Sequence, residues 1–274
     1  MLAGTVGASV LAGGQSLIPA MNMRLANPSL LVDIQHVAGL KGIALEGGQI
    51  VVKAMTRHRE LELDETVHSA NPLIREVMAS VAHVPIRNRG TVVGSLCHAD
   101  AAAELPLLLV LSNGSIVCEG PLGRREILAE EFFQFHLTTT RRPDEIAVEA
   151  RFSALTDGAG YAFQEFTRRH GDYAIAAVGC ILMVGRDGTV HDVRIAGCGM
   201  AAKPVRLTSA EAALIGSQLT AQDIAAAGEA GRSAVTAEDD MHATQDYRRR
   251  LVATLIRRSV MMAKERANGG TARA

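Results

Sequence analysis

The stretch RNRGTVVGSLCHADAAAELP, Arg87–Pro106, is the most informative part of the sequence for fold and ligand binding. It contains a polar loop with two glycines between two predicted helices. Glycine lets the backbone approach a ligand closely, and the hydroxyls of Thr91 and Ser95 can donate hydrogen bonds. The pattern is compatible with a phosphate-binding loop in which Asp100 or Glu104 accepts hydrogen bonds from ribose hydroxyls. The alternative is an ordinary loop, with Asp100 as the cap of the next helix and Glu104 exposed.

A second glycine-rich segment, AGGQSL at Ala12–Leu17, follows a predicted strand at Ala3–Ala12. It matches neither GxGxxG nor GxxxxGK[ST], so by itself it is a weak indication of phosphate binding. Consecutive backbone N–H groups in such a turn can hold an anion. Two loops of this kind in one domain favour a dinucleotide ligand, because a dinucleotide has two halves to bind.

Composition excludes several classes of function. The chain has 274 residues, and its 28 Lys and Arg against 29 Asp and Glu leave a net charge of −1. Aromatic residues make up only 3%, and this composition argues against nucleic-acid binding. The longest aliphatic run, Leu105–Leu111, lies in a helix predicted at Ala101–Leu111 and is far shorter than the ~20 residues of a membrane span. Met1–Val10 carries no Lys or Arg, so we expect no signal peptide and a cytoplasmic protein.

The four cysteines, Cys97, Cys118, Cys180 and Cys198, form no CxxC pair. No His lies near them at the spacing of a zinc finger. We therefore expect neither a metal site nor an iron–sulfur cluster on this chain. Buried thiols in a reducing compartment are the expected state.

Short aliphatic runs and glycines predict an α+β chain with a break near residue 155. Before the break, Gly47-Gly48 predicts a hairpin, and a helix is predicted at Asn71–Val84, with Pro72 in its first turn and Pro85 ending it. The elements predicted after the break are strands at Tyr161–Thr167, Ala174–Val184 and Val190–Gly197 and helices at Ser209–Leu219, Ala221–Ala234 and about Thr244–Ala267. Residues 268–274 are expected to be disordered.

Taken together, the two glycine loops resemble those of the FAD-binding medium subunit of molybdenum hydroxylases. This family includes aerobic carbon monoxide dehydrogenase, the quinoline and nicotine dehydrogenases and the flavin domain of xanthine dehydrogenase. Four more segments resemble the family in the same order: MTRHREL (Met55–Leu61), RRHGDYA (Arg168–Ala174), IAGCGMAAKPVR (Ile195–Arg206) and Tyr247–Arg258. Each motif alone is unspecific, and the combination is specific.

The resemblance implies an FAD-binding fold of the vanillyl-alcohol-oxidase/PCMH type, with two α+β subdomains, at 1–155. A C-terminal α+β domain of the carbon monoxide dehydrogenase flavoprotein type is implied at 158–267. The positions that match the family's FAD site are Leu11, Ala12, Gly13, Gly14, Gln15, Ser16, Leu17, Thr91, Gly94, Ser95, His98, Asp100, Glu104, Gln164 and Tyr173. The resemblance implies no catalytic acid or base and no metal ligand on this chain.

The roles implied by the resemblance differ along the chain. Leu11–Leu17 would wrap the FAD diphosphate through backbone N–H groups, and the loop from Thr91 to Ser95 would hold its other side. Glu104 would bind the adenosine-side ribose. Gln164 occupies a position near the flavin that is often Lys in relatives. Tyr173 would lie against the isoalloxazine ring, with a buried core tyrosine as the alternative.

The family mechanism divides the work among three chains. A large partner subunit holds the molybdenum cofactor and oxidises the substrate, which is carbon monoxide, an N-heterocycle or an aldehyde. A small partner subunit carries two [2Fe–2S] clusters. This chain would pass electrons from the nearer cluster through FAD to an external acceptor, within a dimer of heterotrimers.

Two departures from the family pattern keep other hypotheses open. Val93 replaces a glycine of the second loop, where the backbone was expected to need a positive φ. Relatives carry a strand and a helix before the first loop, where this sequence has Met1–Val10; if that short N-terminus is native, we expect part of the first subdomain to be uncovered and FAD to be held more weakly. The alternatives are a stand-alone flavoprotein oxidase of the same fold and a non-enzymatic scaffold that has lost FAD.

Overall fold

A computed structural model describes residues 2–267 of the chain. The predicted disordered tail, 268–274, lies outside the described residues. The chain divides into two compact units. The first comprises the residues up to Asp100 together with Asn113–Ala154, and the second comprises Ala101–Ser112 and the residues from Leu155 onward. The predicted domain division at 1–155 and 158–267 stays a prediction.

The helices and strands within residues 2–267 are as follows. The strands are β1 (Ala8–Leu11), β2 (Leu30–Asp33), β3 (Ile43–Glu46), β4 (Gln49–Lys53), β5 (Ser115–Gly120), β6 (Gly123–Leu128), β7 (Phe133–Phe135), β8 (Thr138–Thr139), β9 (Ile146–Ser153), β10 (Gly160–Phe166), β11 (Ala176–Val184), β12 (Val190–Cys198) and β13 (Val205–Arg206). The helices are α1 (Leu17–Asn22), α2 (His58–Leu63), α3 (Glu65–Ala70), α4 (Pro72–Ser80), α5 (Val84–Arg87), α6 (Val92–His98), α7 (Glu104–Leu111), α8 (Ala129–Phe132), α9 (Thr208–Leu214), α10 (Ala221–Gly231) and α11 (Gln245–Ala267). Leu2–Gly4 and Arg232–Ala234 are short 3₁₀ turns.

The first unit contains a small parallel sheet and a larger antiparallel one. Strands β1 and β2 run parallel, with Val10 opposite Val32. The larger sheet has the order β3-β4-β9-β5-β6. The predicted hairpin at Gly47-Gly48 is confirmed: both glycines take positive φ values, and the turn joins β3 to β4.

The helices of the first unit bury a continuous apolar core in which Leu73, Ile74 and Val77 of α4 are fully buried. Pro72 begins α4 as predicted, because proline lacks the N–H that the first turn leaves unused. The predicted end of this helix is wrong. The backbone of Ala82 has a φ of 46°, and Pro85 lies in the first turn of α5 instead of ending α4.

The second unit is built on an antiparallel sheet with the order β10-β11-β12-β13. Helix α11 covers β10 and β11, and α10 packs on α11. All residues of α7 are buried, and this helix packs on β11 and β12, where Gly179 leaves space for Leu111. The predicted start of this helix at Ala101 is wrong, since α7 begins at Glu104. Among the described residues, no helix is both long and apolar enough to cross a bilayer.

Candidate functional site

The first predicted loop connects β1 to α1. Gly14 has a φ of 72°, which favours glycine, and its carbonyl accepts a hydrogen bond from the N–H of Ile18 at 3.1 Å. Within the described part of the chain, the backbone N–H groups from Gly13 to Leu17 donate to no acceptor. A run of free N–H groups around a left-handed glycine is an anion-binding arrangement. The loop therefore has the donors that a phosphate needs.

The second predicted loop ends in the first turn of α6. The N–H of Val92 donates to the carbonyl of Thr56 at 3.1 Å, and the N–H of Ser95 donates to the carbonyl of Thr91 at 3.0 Å. The N–H groups of Val93 and Gly94 have no acceptor among residues 2–267. The hydroxyl oxygen Oγ1 of Thr91 is buried and also lacks a partner there. The first N–H groups of a helix have no acceptor within that helix, and buried polar atoms are rarely left without a partner, so these groups are available to a ligand.

The two loops pack against each other through their backbones. A Cβ on Gly13 would lie 2.5 Å from the carbonyl oxygen of Arg89 and 2.9 Å from the amide nitrogen of Thr91. A Cβ on Gly94 would overlap Thr91 Oγ1 and lie 3.9 Å from the Cβ of Ala12. The free N–H groups of both loops thus lie close together in the first unit. Of the FAD-binding residues predicted from the sequence, Leu11–Leu17, Thr91, Gly94 and Ser95 belong to these two loops.

Val93 does not disturb the second loop. It lies within α6 with its side chain buried, and its φ is not positive. The expectation of a positive φ at this position is therefore wrong. Valine is compatible with the helical backbone, and the side chain of Val93 is part of the buried core.

His98 and Asp100 lie at the C-terminal end of α6. His98 is the last residue of the helix, and Ala99 follows with a φ of 53°. Burial lowers the pKa of His98, an effect that the neighbouring Asp100 opposes and that His136 adds to. Asp100 is not the N-cap residue of the next helix, because α7 begins at Glu104 and its N-cap is Ala103. The contacts of both residues with a cofactor stay predictions.

The other three predicted FAD residues belong to the second unit. Glu104 is the first residue of α7 and is buried, so the alternative of an exposed Glu104 is wrong. Gln164 lies on β10, and its Nε2 donates to the carbonyl of Phe163 at 2.8 Å and to Met262 Sδ at 3.2 Å. Tyr173 is 54% exposed, so it is not a core tyrosine. The roles of these residues in cofactor binding stay predictions.

His58, to which no sequence motif assigns a role, contacts the second loop directly. Its Nε2 lies 2.9 Å from the carbonyl oxygen of Thr91, and the residue is only 6% exposed. Burial lowers the pKa of His58 to about 4. The motif MTRHREL contains this residue, but nothing in that pattern indicates which of its side chains faces the loop.

A cavity of about 630 Å³ lies in the first unit away from both loops. Its wall includes Leu2, Leu40, Lys53, Arg124 and Glu149, and none of the predicted FAD residues lines it. This cavity therefore does not coincide with the predicted phosphate site, which stays a prediction.

The described cysteines are free thiols. Burial raises the pKa of Cys97 to about 11 and that of Cys118 to about 12, so both are protonated at neutral pH. Among residues 2–267, no group of three or more His, Cys, Asp and Glu side chains is placed to hold a metal ion.

Comparison with protein families matches both parts of the chain. Residues 1–152 match the FAD binding domain in molybdopterin dehydrogenase, and residues 161–263 match the CO dehydrogenase flavoprotein C-terminal domain. The chain is 39% identical to the 6-hydroxypseudooxynicotine dehydrogenase complex subunit alpha of Paenarthrobacter nicotinovorans, over 95% of this chain and 88% of that one. It is 33% identical to the carbon monoxide dehydrogenase medium chain of Hydrogenophaga pseudoflava, over 92% of this chain and 88% of that one.

Solved structures agree with these sequence matches. Carbon monoxide dehydrogenase from Hydrogenophaga pseudoflava superposes with a TM-score of 0.94 at 33% identity, covering 97% of this chain and 92% of that one. Quinoline 2-oxidoreductase from Pseudomonas putida 86 superposes with a TM-score of 0.92 at 32% identity, covering 98% of this chain and 92% of that one.

Proposed function

Because the chain belongs to the family of FAD-binding medium subunits of molybdopterin dehydrogenases, we propose that it relays electrons through FAD within such an oxidoreductase. Electrons enter from [2Fe–2S] clusters on a small partner subunit and leave to an external acceptor. A large partner subunit with the molybdenum cofactor oxidises the substrate. The three chains form a dimer of heterotrimers.

One observation carries this proposal: two loops with free N–H groups meet at Gly13 and Thr91. The donors are the amides from Gly13 to Leu17, the amides of Val93 and Gly94, and the buried hydroxyl of Thr91. A diphosphate has acceptor oxygens on two phosphorus atoms, so two converging donor groups suit it. Bound FAD supplies the redox chemistry, while the protein supplies position and electrostatics.

The remaining predicted residues would hold the two ends of FAD. By their positions in the family motifs, Asp100 and Glu104 would bind the adenosine-side ribose, and His98 would touch FAD close to the second loop. Tyr173 would cover the isoalloxazine ring, with Gln164 near it. The exposure of Tyr173 supports this role, since its side chain is accessible from solvent.

We propose an N-heterocycle as the substrate of the complex. The chain is 39% and 38% identical to subunits of the 6-hydroxypseudooxynicotine dehydrogenase complex and of nicotine 6-hydroxylase, against 33% for the carbon monoxide dehydrogenase medium chain. The substrate would bind to the large partner subunit, so no residue of this chain would select it. Free thiols suit a reducing compartment, and we place the complex in the cytoplasm.

The test is purification of the complex from its host, followed by measurement of FAD, iron and molybdenum. About one FAD per chain is expected, with both partner subunits present. Substituted pyridines, added without oxygen, are expected to bleach the flavin absorbance, whereas carbon monoxide is expected to leave it unchanged. A colourless chain without partners would overturn the proposed relay, and bleaching by carbon monoxide alone would overturn the proposed substrate class.

A further inference from the structure

His58 contacts the backbone at the start of the second loop. Its backbone N–H donates to the carbonyl of Gly90 at 3.0 Å, and its imidazole Nε2 lies 2.9 Å from the carbonyl oxygen of Thr91. A carbonyl only accepts, so Nε2 carries the proton. Nδ1 is then an acceptor, and it is buried without a partner in the described part of the chain. One residue thus holds two successive carbonyls at the start of the loop.

The imidazole ring also fills the space that Gly90 leaves open. A Cβ on Gly90 would lie 3.1 Å from both Nδ1 and Cε1 of His58 and 3.2 Å from the carbonyl oxygen of Ile86. Loop and ring are therefore closely packed at Gly90. A substitution at His58 changes both this packing and the hydrogen bond to Thr91.

We propose that His58 is a positioning residue for the FAD diphosphate. Its imidazole holds the backbone of Thr91 so that the Thr91 hydroxyl and the amides of Val93 and Gly94 present their donors to a phosphate. His58 does not touch the phosphate. This inference rests on the proposed function, because it takes the second loop as the diphosphate site.

Burial keeps the imidazole of His58 neutral by lowering its pKa to about 4. The hydrogen bond with the Thr91 carbonyl opposes this effect, and so does the carboxylate of Glu62, which is paired with Arg87 at 2.9 Å. The guanidinium groups of Arg87 on α5 and of Arg57 lower the pKa further. The Nε2–H donor to Thr91 is thus the same from about pH 5 upward. His58 should therefore contribute no inflection to the pH dependence of FAD affinity near the usual histidine pKa of about 6.5.

The experiment compares three substitutions in the complex after removal of FAD. His58→Gln can place its amide nitrogen near the position of Nε2, whereas His58→Asn is too short and His58→Leu has no donor. His58→Leu and His58→Asn are expected to raise the dissociation constant for FAD about tenfold, which corresponds to the free energy of about one hydrogen bond. His58→Gln is expected to keep the dissociation constant within about threefold of the wild-type value. ADP, which contains the diphosphate without the flavin, should show the same order.

Two measurements separate positioning from simple stability. The unfolding temperature of the FAD-free complex reports the structural effect of each variant. His191→Gln, whose side chain is 65% exposed on the second unit, is the matched control and should bind FAD like the wild type.

The proposal is overturned if the three His58 variants bind FAD and ADP with wild-type affinity, or if affinity follows the unfolding temperature with no advantage of Gln over Asn. If His58→Leu does not fold, the comparison of FAD and ADP affinities between His58→Gln and His58→Asn tests the proposal by itself. A wild-type complex that binds no FAD would instead refute the proposed function.

Discussion

The backbones of Gly13 and Arg89 are in direct contact: a Cβ on Gly13 would lie 2.5 Å from the carbonyl oxygen of Arg89. The neighbours at this point are backbone atoms, so no side-chain rotation can make room. The φ of Gly13 is not positive, and the glycine is required for close approach. This contact joins the two loops that carry the free N–H groups.

Gly13→Ala should therefore separate the loops. We expect FAD affinity to fall at least tenfold, because overpacking against a backbone typically costs about 1–3 kcal/mol. The measurement is flavin content after purification, followed by titration of the FAD-free form. Gly4→Ala is the control, since a Cβ there meets nothing within 4 Å. Full flavin occupancy in Gly13→Ala would contradict the loop assignment.

Thr91→Val should separate ligand binding from stability. The substitution removes a buried hydroxyl that has no partner among the described residues and keeps its shape. We expect the FAD-free form to unfold at the same temperature or higher, since an unsatisfied buried polar atom is destabilising. FAD affinity should fall about tenfold. Thr140→Val is the matched control, because Thr140 Oγ1 is also buried and unpartnered there, and equal FAD losses in both variants would refute the role of Thr91.

Acid should destabilise the first unit through Glu149. Burial would raise the pKa of this carboxylate, but hydrogen bonds from Lys53, Arg124 and Arg151 outweigh it and lower the pKa to about 2. Because the folded pKa lies below the unfolded one, the stabilisation is complete above about pH 4.5 and is lost as the pH falls toward 2.

Glu149→Gln should reduce the free energy of unfolding at pH 7 by about 2 kcal/mol and flatten its decline between pH 4.5 and 2. Chemical denaturation at several pH values measures both effects. Glu46→Gln, at an exposed position of β3, is the control. An unchanged pH profile in Glu149→Gln would contradict the prediction.

Arg248 should be indispensable for the second unit. Its side chain is 5% exposed, donates to the carbonyls of Ile175 and Gly199, and forms an ion pair with Asp240. Arg248→Met leaves these acceptors without their donor, and we expect a loss of about 3–5 kcal/mol in unfolding free energy. Arg248→Lys should recover only part of it, since lysine lacks the planar fork.

Arg249→Met is the control for this prediction, because the Arg249 side chain is 40% exposed. Thermal unfolding of the FAD-free complex measures the losses. Equal unfolding temperatures for the Arg248→Met and Arg249→Met variants would show that the buried contacts of Arg248 contribute nothing to stability.

Features of the fold that depend on residues adjacent in the sequence could be predicted from the sequence alone. The hairpin at Gly47-Gly48, the start of α4 at Pro72 and the three long strands of the second unit all have local signals in glycine, proline and β-branched residues. The limits of helices were harder to predict. Ala82 follows α4 with a positive φ, and its carbonyl accepts a hydrogen bond from the Arg87 side chain of α5 at 2.9 Å, a contact that no local pattern predicts.

The family resemblance and the two glycine loops follow from the amino-acid order alone, because glycine spacing along the chain is a local property. Three relationships exist only in the folded chain: Gly13 is required for contact with Arg89, Val93 fits within α6, and His58 contacts the Thr91 carbonyl. These relationships join residues more than thirty positions apart or depend on burial. Their energies come from packing and desolvation, which exist only after the chain has folded.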